Sequence, residues 1–347
     1  VFWQKAWQAR KQMAEKQYGS NKFQDMSWIA SHWAYYLRLN SHVLKRGVPA
    51  RELIGLKYPF KLPDPVKPPL LSVDFTDACD LACVYCNNPL FPHPRTMMSD
   101  GIFNCLLQNL RAAKINRVRV GGGEPMLHPK CAEMLTKLKP LTKYLSIITN
   151  GQWKDPHDID EVLLSGVDLI EVSVDAGGAK IYEASRQNAS YTRLLKNIRH
   201  LRQLRDRLRS GTLIRVRLML RPSTRHLERW ETAFWKRYAD AVLPQFLLKH
   251  PDSDYDDDVF HSKVYDENTA PVCTLPFKDL QIRPDGRIPL CPAKGCSLDP
   301  AKRSFLAHVC HDSLIDIWNG PDFKAMRLAQ RSRQGKILEG CKGCNYS

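Results

Sequence analysis

From Leu70 onward, short apolar runs alternate with amphipathic stretches along the chain. Leu70–Phe75, Arg117–Val120, Tyr144–Ile148, Leu169–Val174, Leu213–Leu220 and Phe246–Leu248 have the length and composition of strands. Between them, Asp100–Ala113, Cys131–Leu138, Asp158–Leu164, Tyr191–Leu208 and Leu227–Tyr238 repeat apolar residues at helical spacing. In Tyr191–Leu208 the stripe is Leu194, Leu195, Ile198, Leu201 and Leu204. Repeated strand–helix units predict a parallel sheet with crossover helices. Before Leu70, Ile29, Trp33 and Leu37 recur at one-turn spacing, so residues 1 to about 48 read as helical. Tyr58–Pro69 holds Pro59, Pro63, Pro65, Pro68 and Pro69, which excludes a helix and predicts an extended linker.

Six strand–helix units predict an α/β fold, a partial and open (β/α)6 TIM-like barrel. Functional sites in such folds lie at the C-terminal ends of the strands. The expected organisation is a helical extension with a Pro-rich linker over 1–69, the barrel over 70–262, and a separate C-terminal domain over 263–347. Leu280–Ile288, with Pro284-Asp285-Gly286 inside it, reads as a hairpin.

Charge and cysteine usage narrow the setting. Lys and Arg outnumber Asp and Glu by 52 to 36, a net charge of +16. That balance favours an anionic partner: a phosphorylated or nucleotide-linked substrate, an acidic peptide, nucleic acid or an acidic membrane surface. Lys5, Arg10, Lys11 and Lys16 lie beside Trp3 and Trp7, a set that suits either a helix packed on the main domain or one that touches a partner. No apolar run is long enough to span a membrane. Eleven cysteines, an odd number, without the apolar core of a signal peptide, fit thiols and metal in a reducing cytoplasm.

The strongest chemical signal is Cys79, Cys83 and Cys86, spaced C-x3-C-x2-C directly after the first strand. Three thiolates in so short a loop can ligate three irons of a cubane cluster and leave the fourth open to react; short cysteine patterns also bind zinc. One strand later comes Gly121-Gly122-Gly123-Glu124-Pro125. Glycines allow close backbone approach, and a carboxylate accepts hydrogen bonds from an ammonium group.

Together these residues resemble the radical S-adenosylmethionine (radical SAM) superfamily. The resemblance implies a [4Fe–4S] cluster on Cys79, Cys83 and Cys86, with SAM chelating the open iron. It also implies that Gly122, Gly123 and Glu124 hold the methionyl amino group. Tyr85 would pack beside the cluster. Ser173, at a Ser-x-Asp strand end, would meet the ribose or the SAM carboxylate, and Arg186 would grip that carboxylate; Asn150 is a further strand-end polar candidate for binding the cofactor.

The C-terminal region is similar to the SPASM and Twitch extensions of that superfamily, through Cys273, Gly286, Cys291, the stretch Ile315–Lys324, and Cys341-Lys342-Gly343-Cys344. The cysteine count fits a single-cluster, Twitch-like arrangement with Cys273, Cys291, Cys341 and Cys344 as ligands of an auxiliary [4Fe–4S] cluster. Cys296 and Cys310 are then spare thiols, ligands of a second cluster, or hydrogen-atom donors in an epimerase. Cys105 and Cys131 lie on helix patterns and read as buried core thiols.

The activity that the resemblance implies is abstraction of hydrogen from a C–H bond, by an oxidoreductase or an epimerase fed by a donor such as flavodoxin or ferredoxin. Arg221, Lys249, His250 and Asp252, at or just beyond the ends of the fifth and sixth strands, are candidates to face the substrate. Lys249 or His250 could accept a proton. The expected substrate is a sugar or aminocyclitol, an anionic or nucleotide-linked one. A peptide maturase and a non-catalytic iron–sulfur electron carrier are the competing readings.

Overall fold

The computed structural model describes residues 41–49, 64–86, 88, 95–246, 273–291 and 305–332. The chain divides into two compact units, Val1–Gly47 and Val48–Ser347. In the first, α1 (Ser41–Lys45) buries Val43. All other elements among the described residues belong to the second.

Its strands are β1 (Leu70–Thr76), β2 (Ala82–Cys83), β3 (Arg117–Gly122), β4 (Tyr144–Thr149), β5 (Leu169–Asp175), β6 (Arg186–Gln187), β7 (Leu213–Leu220), β8 (Ala241–Phe246), β9 (Asp279–Ile282), β10 (Arg287–Pro289) and β11 (Phe305–His308). Its α-helices are α2 (Asp100–Ala113), α3 (Cys131–Leu138), α4 (Asp160–Leu164), α5 (Gly178–Ser185), α6 (Tyr191–Arg207), α7 (Glu228–Trp235), α8 (Leu314–Asn319) and α9 (Pro321–Arg331). Seven strands form one all-parallel sheet in the order β8-β7-β5-β4-β3-β1-β9. This is the predicted α/β architecture.

Each strand divides its side chains between two faces, because successive residues point to opposite sides of a sheet. On β1, Leu71, Val73 and Phe75 are wholly buried, and Phe75 meets Phe103 of α2 edge-on. On β7, Ile214, Val216, Leu218 and Leu220 are buried in the same apolar layer. The opposite face is polar. It carries Ser72 and Asp74 from β1, Arg117 and Arg119 from β3, Glu171 and Ser173 from β5, Arg215 and Arg217 from β7, and Asp279 and Gln281 from β9. Alternate residues of β7 on this face are half-buried rather than buried, so the inside of the partial barrel is an accessible lumen.

Two predicted elements lie elsewhere. The sixth strand is Ala241–Phe246, ahead of the expected Phe246–Leu248. Pro244 disguised it; this edge position tolerates a residue that cannot donate to the ladder. The expected hairpin over 280–288 is only a turn, closed by Gly286 N to Arg283 O and Arg283 N to Arg287 O, each 2.9 Å. Its first arm, β9, runs parallel to β1, and its second, β10, pairs antiparallel with β11. Gly286 at φ +81° supplies the left-handed residue of the turn.

The proline-rich stretch and the C-terminal helices meet. Trp318 Nε1 donates to Pro65 O at 2.6 Å, Asn319 Nδ2 to Val66 O at 3.0 Å, and Arg331 pairs with Asp64 at 2.7 Å.

Candidate active site

The cysteine loop leaves β1 at Thr76 and is tied to the end of β3. Gly123 N donates to Thr76 O at 2.8 Å, and Glu124 N to Ala78 O at 2.7 Å. A Cβ on Gly123 would stand 2.1 Å from Ala78 O and 2.6 Å from Asp77 O, and one on Gly122 2.5 Å from Thr76 O. Both glycines are therefore required by the backbone that carries the cysteines. Gly122 also sits at φ +109°.

A second tether comes from the far side. Ala82 and Cys83 pair antiparallel with Gln187 and Arg186, and Val84 N donates to Ser185 O at 2.9 Å. The short helix α5 thus delivers Arg186 against the middle cysteine. Beneath it, Asp175 at the end of β5 is a hub. It accepts from Tyr85 Oη at 2.9 Å, from Arg186 Nε at 2.8 Å, and from Ser185 Oγ. Ser185 Oγ also takes a bond from Arg221, and the Arg186 and Arg221 guanidiniums lie 5.7 and 5.9 Å from the Tyr85 ring centre. Burial alone would lower the Arg186 pKa; the Asp175 carboxylate reverses this and holds the group cationic.

Glu124 is 3% exposed. Its carboxylate accepts from Thr149 Oγ1 at 2.8 Å, Asn150 N at 2.7 Å and Met126 N at 3.1 Å. Burial raises its pKa to about 7 despite those donors. Asn150 continues the chain of contacts: its Nδ2 donates to Asp80 Oδ1, inside the cysteine loop, at 2.7 Å. Glu124 and Asn150 therefore lock the ends of β3 and β4 to the loop.

The three loop cysteines are half-buried and none is in a disulfide. Burial pushes the Cys79 thiol up to about 12 and Cys83 up to about 11, and raises Cys86. Without a metal these groups are protonated thiols; a thiophilic metal bound here would supply the counter-charge that three thiolates need. Three soft donors on one glycine-cradled loop fit an iron–sulfur cluster.

Of the sequence-predicted residues, Cys79, Cys83, Cys86, Tyr85, Gly122, Gly123, Glu124, Asn150 and Arg186 converge at this mouth, as does Arg221. Ser173 stands one step lower on the lumen face of β5, opposite Arg217 of β7. Cys273 and Cys291 are half-buried and not in a disulfide, and Cys273 N is held by Gln330 Oε1 at 2.9 Å. Lys249, His250, Asp252, Cys296, Cys341 and Cys344 lie outside the described residues.

Cys310 is a correction. It is disulfide-bonded to Cys105 of α2, so neither is a free thiol and Cys105 is not a simple core cysteine. The turn after β11 brings Cys310 onto the helical layer outside the sheet. A bonded, exposed sulfur there cannot donate a hydrogen atom into the lumen.

Sequence reasoning missed Ser185, Asp80, Thr149 and the lumen charges as site residues. A signal for the last was present: Arg117, Arg119, Arg215 and Arg217 fall at strand period in Arg-Val-Arg-Val and Arg-Val-Arg.

The relationship to known proteins is specific. A domain of the radical SAM superfamily matches residues 73–216, and SPASM, an iron–sulfur cluster-binding domain, matches residues 273–345. The GTP 3',8-cyclase of Lactiplantibacillus plantarum is 31% identical over 134 residues, covering 36% of this chain and 39% of that protein. The PqqA peptide cyclase of Xanthomonas euvesicatoria pv. vesicatoria is also 31% identical over 134 residues, covering 37% of this chain and 36% of its own. The matched segment thus spans well under half of these relatives. Among solved structures, anSMEcpe with bound AdoMet aligns with a TM-score of 0.55 at 14% identity, over 80% of this chain and 87% of that one. SuiB of Streptococcus suis, bound to precursor peptide SuiA, aligns at 0.54 and 13%, over 86% and 73%. These structural likenesses are likenesses of fold. The chain belongs to the radical SAM superfamily and carries a SPASM domain toward its C terminus, and the two domains imply [4Fe–4S] clusters and SAM.

Proposed function

We propose that this protein abstracts hydrogen from a C–H bond of a sugar- or aminocyclitol-type small molecule, leading to dehydrogenation or epimerisation. Bound together, the reduced cluster and SAM supply the 5′-deoxyadenosyl radical that such a reaction needs. Cys79, Cys83 and Cys86 would hold the cluster. Gly122, Gly123, Glu124, Asn150 and Arg186 would position SAM, with Tyr85 and Ser173 at its borders. Cys273, Cys291, Cys341 and Cys344 would hold an auxiliary cluster, fed like the first by an external one-electron donor such as flavodoxin or ferredoxin.

The observation that carries this reading is the docking of the three-cysteine loop at the C-terminal mouth of an accessible polar lumen. Asp175, Ser185, Arg186 and Arg221 fix the rim, so a substrate entering the lumen meets a wall held by ion pairs and hydrogen bonds. Ser173 offers a half-buried hydroxyl inside the lumen, which suits a hydroxylated molecule. A peptide substrate is the second reading; the identity to a protein named as a peptide cyclase favours it.

Anaerobically reconstituted and reduced protein is expected to convert SAM to 5′-deoxyadenosine and methionine, and Cys83→Ala to abolish this. Zinc in place of iron at the loop, or intact SAM after strong reduction, would refute the proposal.

A further inference from the structure

The charges inside the barrel are not evenly distributed. Near the strand ends they balance: Asp175 takes Arg186 and approaches Arg221 to 3.9 Å, while Asp74 and Asp77 take Arg283 at 3.5 and 2.7 Å. One layer deeper they do not. There Arg117, Arg119, Arg215 and Arg217 face the lumen with only Glu171 and Asp279 among them, counting the described residues. Glu171 is shared between Arg215 and Arg217, and Asp279 is paired to Arg119 at 2.7 Å. Ser72 Oγ donates to Asp279 at 2.8 Å and accepts from Arg119 at 2.7 Å, closing that pair.

This layer carries more positive than negative charge in a place where burial makes charge expensive. Burial lowers the Arg217 pKa, and Arg217 Nε is buried without a hydrogen-bond partner. The arginines nonetheless remain reachable: the side chains of Arg119, Arg215 and Arg217 are 32%, 17% and 23% exposed, whereas Glu171 is 1% exposed. Cations are presented to the lumen and their carboxylate partner is tucked behind them. That arrangement suits an anion receptor.

We infer that Arg119, Arg215 and Arg217 bind a phosphate or diphosphate group of the substrate in the lower lumen. This deepens the proposed function, on which it rests, by naming the substrate class, a phosphorylated or nucleotide-linked small molecule. Planar guanidinium forks match phosphate oxygens with paired hydrogen bonds. A group carrying two negative charges offsets the cation excess of the layer. Position agrees as well. Arg217 lies opposite Ser173, two residues before Asp175, so it sits about 7 Å below the rim, with Arg215 two residues deeper on the same strand. A phosphate held there leaves the moiety bonded to it level with the cysteine loop, and the remote anchor orients the reacting C–H bond.

The test is calorimetric titration of the reconstituted, SAM-loaded protein with inorganic pyrophosphate, beside inorganic phosphate, tricarballylate and an Asp-rich peptide. Pyrophosphate is expected to bind, with affinity falling steeply as salt rises. Arg217→Met and Arg119→Met should weaken binding at least tenfold. Glu171→Gln, which removes the competing carboxylate, should tighten it, an effect that general damage to the fold would not produce. Should Arg217→Met fail to fold, Arg217→Lys keeps the pairing with Glu171 but loses the fork, and must still weaken binding. Absence of pyrophosphate binding, indifference to these arginines, or tighter binding of the carboxylate probes would overturn the assignment. Reductive SAM cleavage by the wild-type protein is measured separately: its failure removes the radical reading, whereas a failed titration alongside intact cleavage removes only the phosphate site.

Discussion

Arg186 Nε donates to Asp175 Oδ1 at 2.8 Å with both side chains buried, and the backbone of the same arginine pairs with Cys83. One ion pair therefore sets the height of a cluster-loop cysteine above the end of β5. Removing one partner leaves a buried charge unmatched, which costs about 3–5 kcal/mol. Asp175→Ala is expected to lose stability on that scale in urea unfolding of the cluster-free protein. Arg186→Met combined with Asp175→Leu should recover much of it. If Asp175→Ala unfolds at the wild-type urea concentration, the pair does not anchor the loop.

Gly123→Ala tests the glycine cradle apart from any ligand. The added methyl would collide with the carbonyls of Ala78 and Asp77, and backbone cannot swing away as a side chain can. The loop must shift, so the variant should fold but lose the loop cluster on reconstitution, about four irons per chain. Gly121→Ala, where nothing lies within 4 Å of the new Cβ, is the matched control and should reconstitute normally. Equal iron content in the two variants would contradict the cradle.

Asp74 gives a pH dependence with a definite sign. Burial raises its pKa from 3.8 to about 6, against the opposing pull of Arg283. The folded chain then binds this proton more tightly than the unfolded chain. Its contribution to stability is fully present below about pH 4, declines as pH rises, and is gone above about pH 6. The linkage is on the order of 3 kcal/mol. Asp74→Asn, which mimics the protonated acid, should flatten the slope between pH 4 and 6 in chemical denaturation. An unchanged slope would show that Asp74 is not its source.

Much of the site was legible because its chemistry sits on short, local patterns. Cys79, Cys83 and Cys86 lie within one loop, and Gly122-Gly123-Glu124 follows the next strand of the sheet, so the family resemblance those motifs carry brought them together. The strands β1, β3, β4, β5 and β7 were equally plain, since their Leu, Ile and Val residues face one apolar layer. What stayed hidden depends on partners distant in sequence. Asp175 becomes a hub only when α5 returns Ser185 and Arg186 and β7 ends on Arg221. Glu171 and Asp279 read as ordinary strand polars until the fold places arginines from β3 and β7 against them. Cys105 and Cys310, separated by 205 residues, carry no local sign that they meet.

That bond predicts a negative result. Cys310 is exposed, tied to α2, and outside the lumen. Cys310→Ala should therefore leave both SAM cleavage and substrate turnover near wild-type rates under reducing assay conditions. Peptide mapping without reductant should recover the Cys105 and Cys310 peptides as one species. A variant that cleaves SAM but stalls before product would instead return Cys310 to the radical chemistry.

The most consequential strand is β9, because it comes from the SPASM-matched region and completes the barrel sheet. Leu70 to Val73 pair residue by residue with Asp279 to Ile282. Leu280 and Ile282 are wholly buried there, and Asp279 and Gln281 reach across to Ser72 and Asp74 at 2.8 and 2.7 Å. Without β9, β1 becomes an edge with an unpaired ladder, and Asp74 loses the Gln281 amide that faces it. Open, apolar edge strands template aggregation. A fragment ending at residue 262 should therefore be insoluble or lack a cooperative unfolding transition, although it contains all of residues 73–216. A charged substitution at Ile282 in the full chain, such as Ile282→Lys, should show the same defect in milder form. A soluble, cooperatively folding fragment that loads a cluster on Cys79, Cys83 and Cys86 would show that the barrel closes its own edge, and that β9 is an appendage.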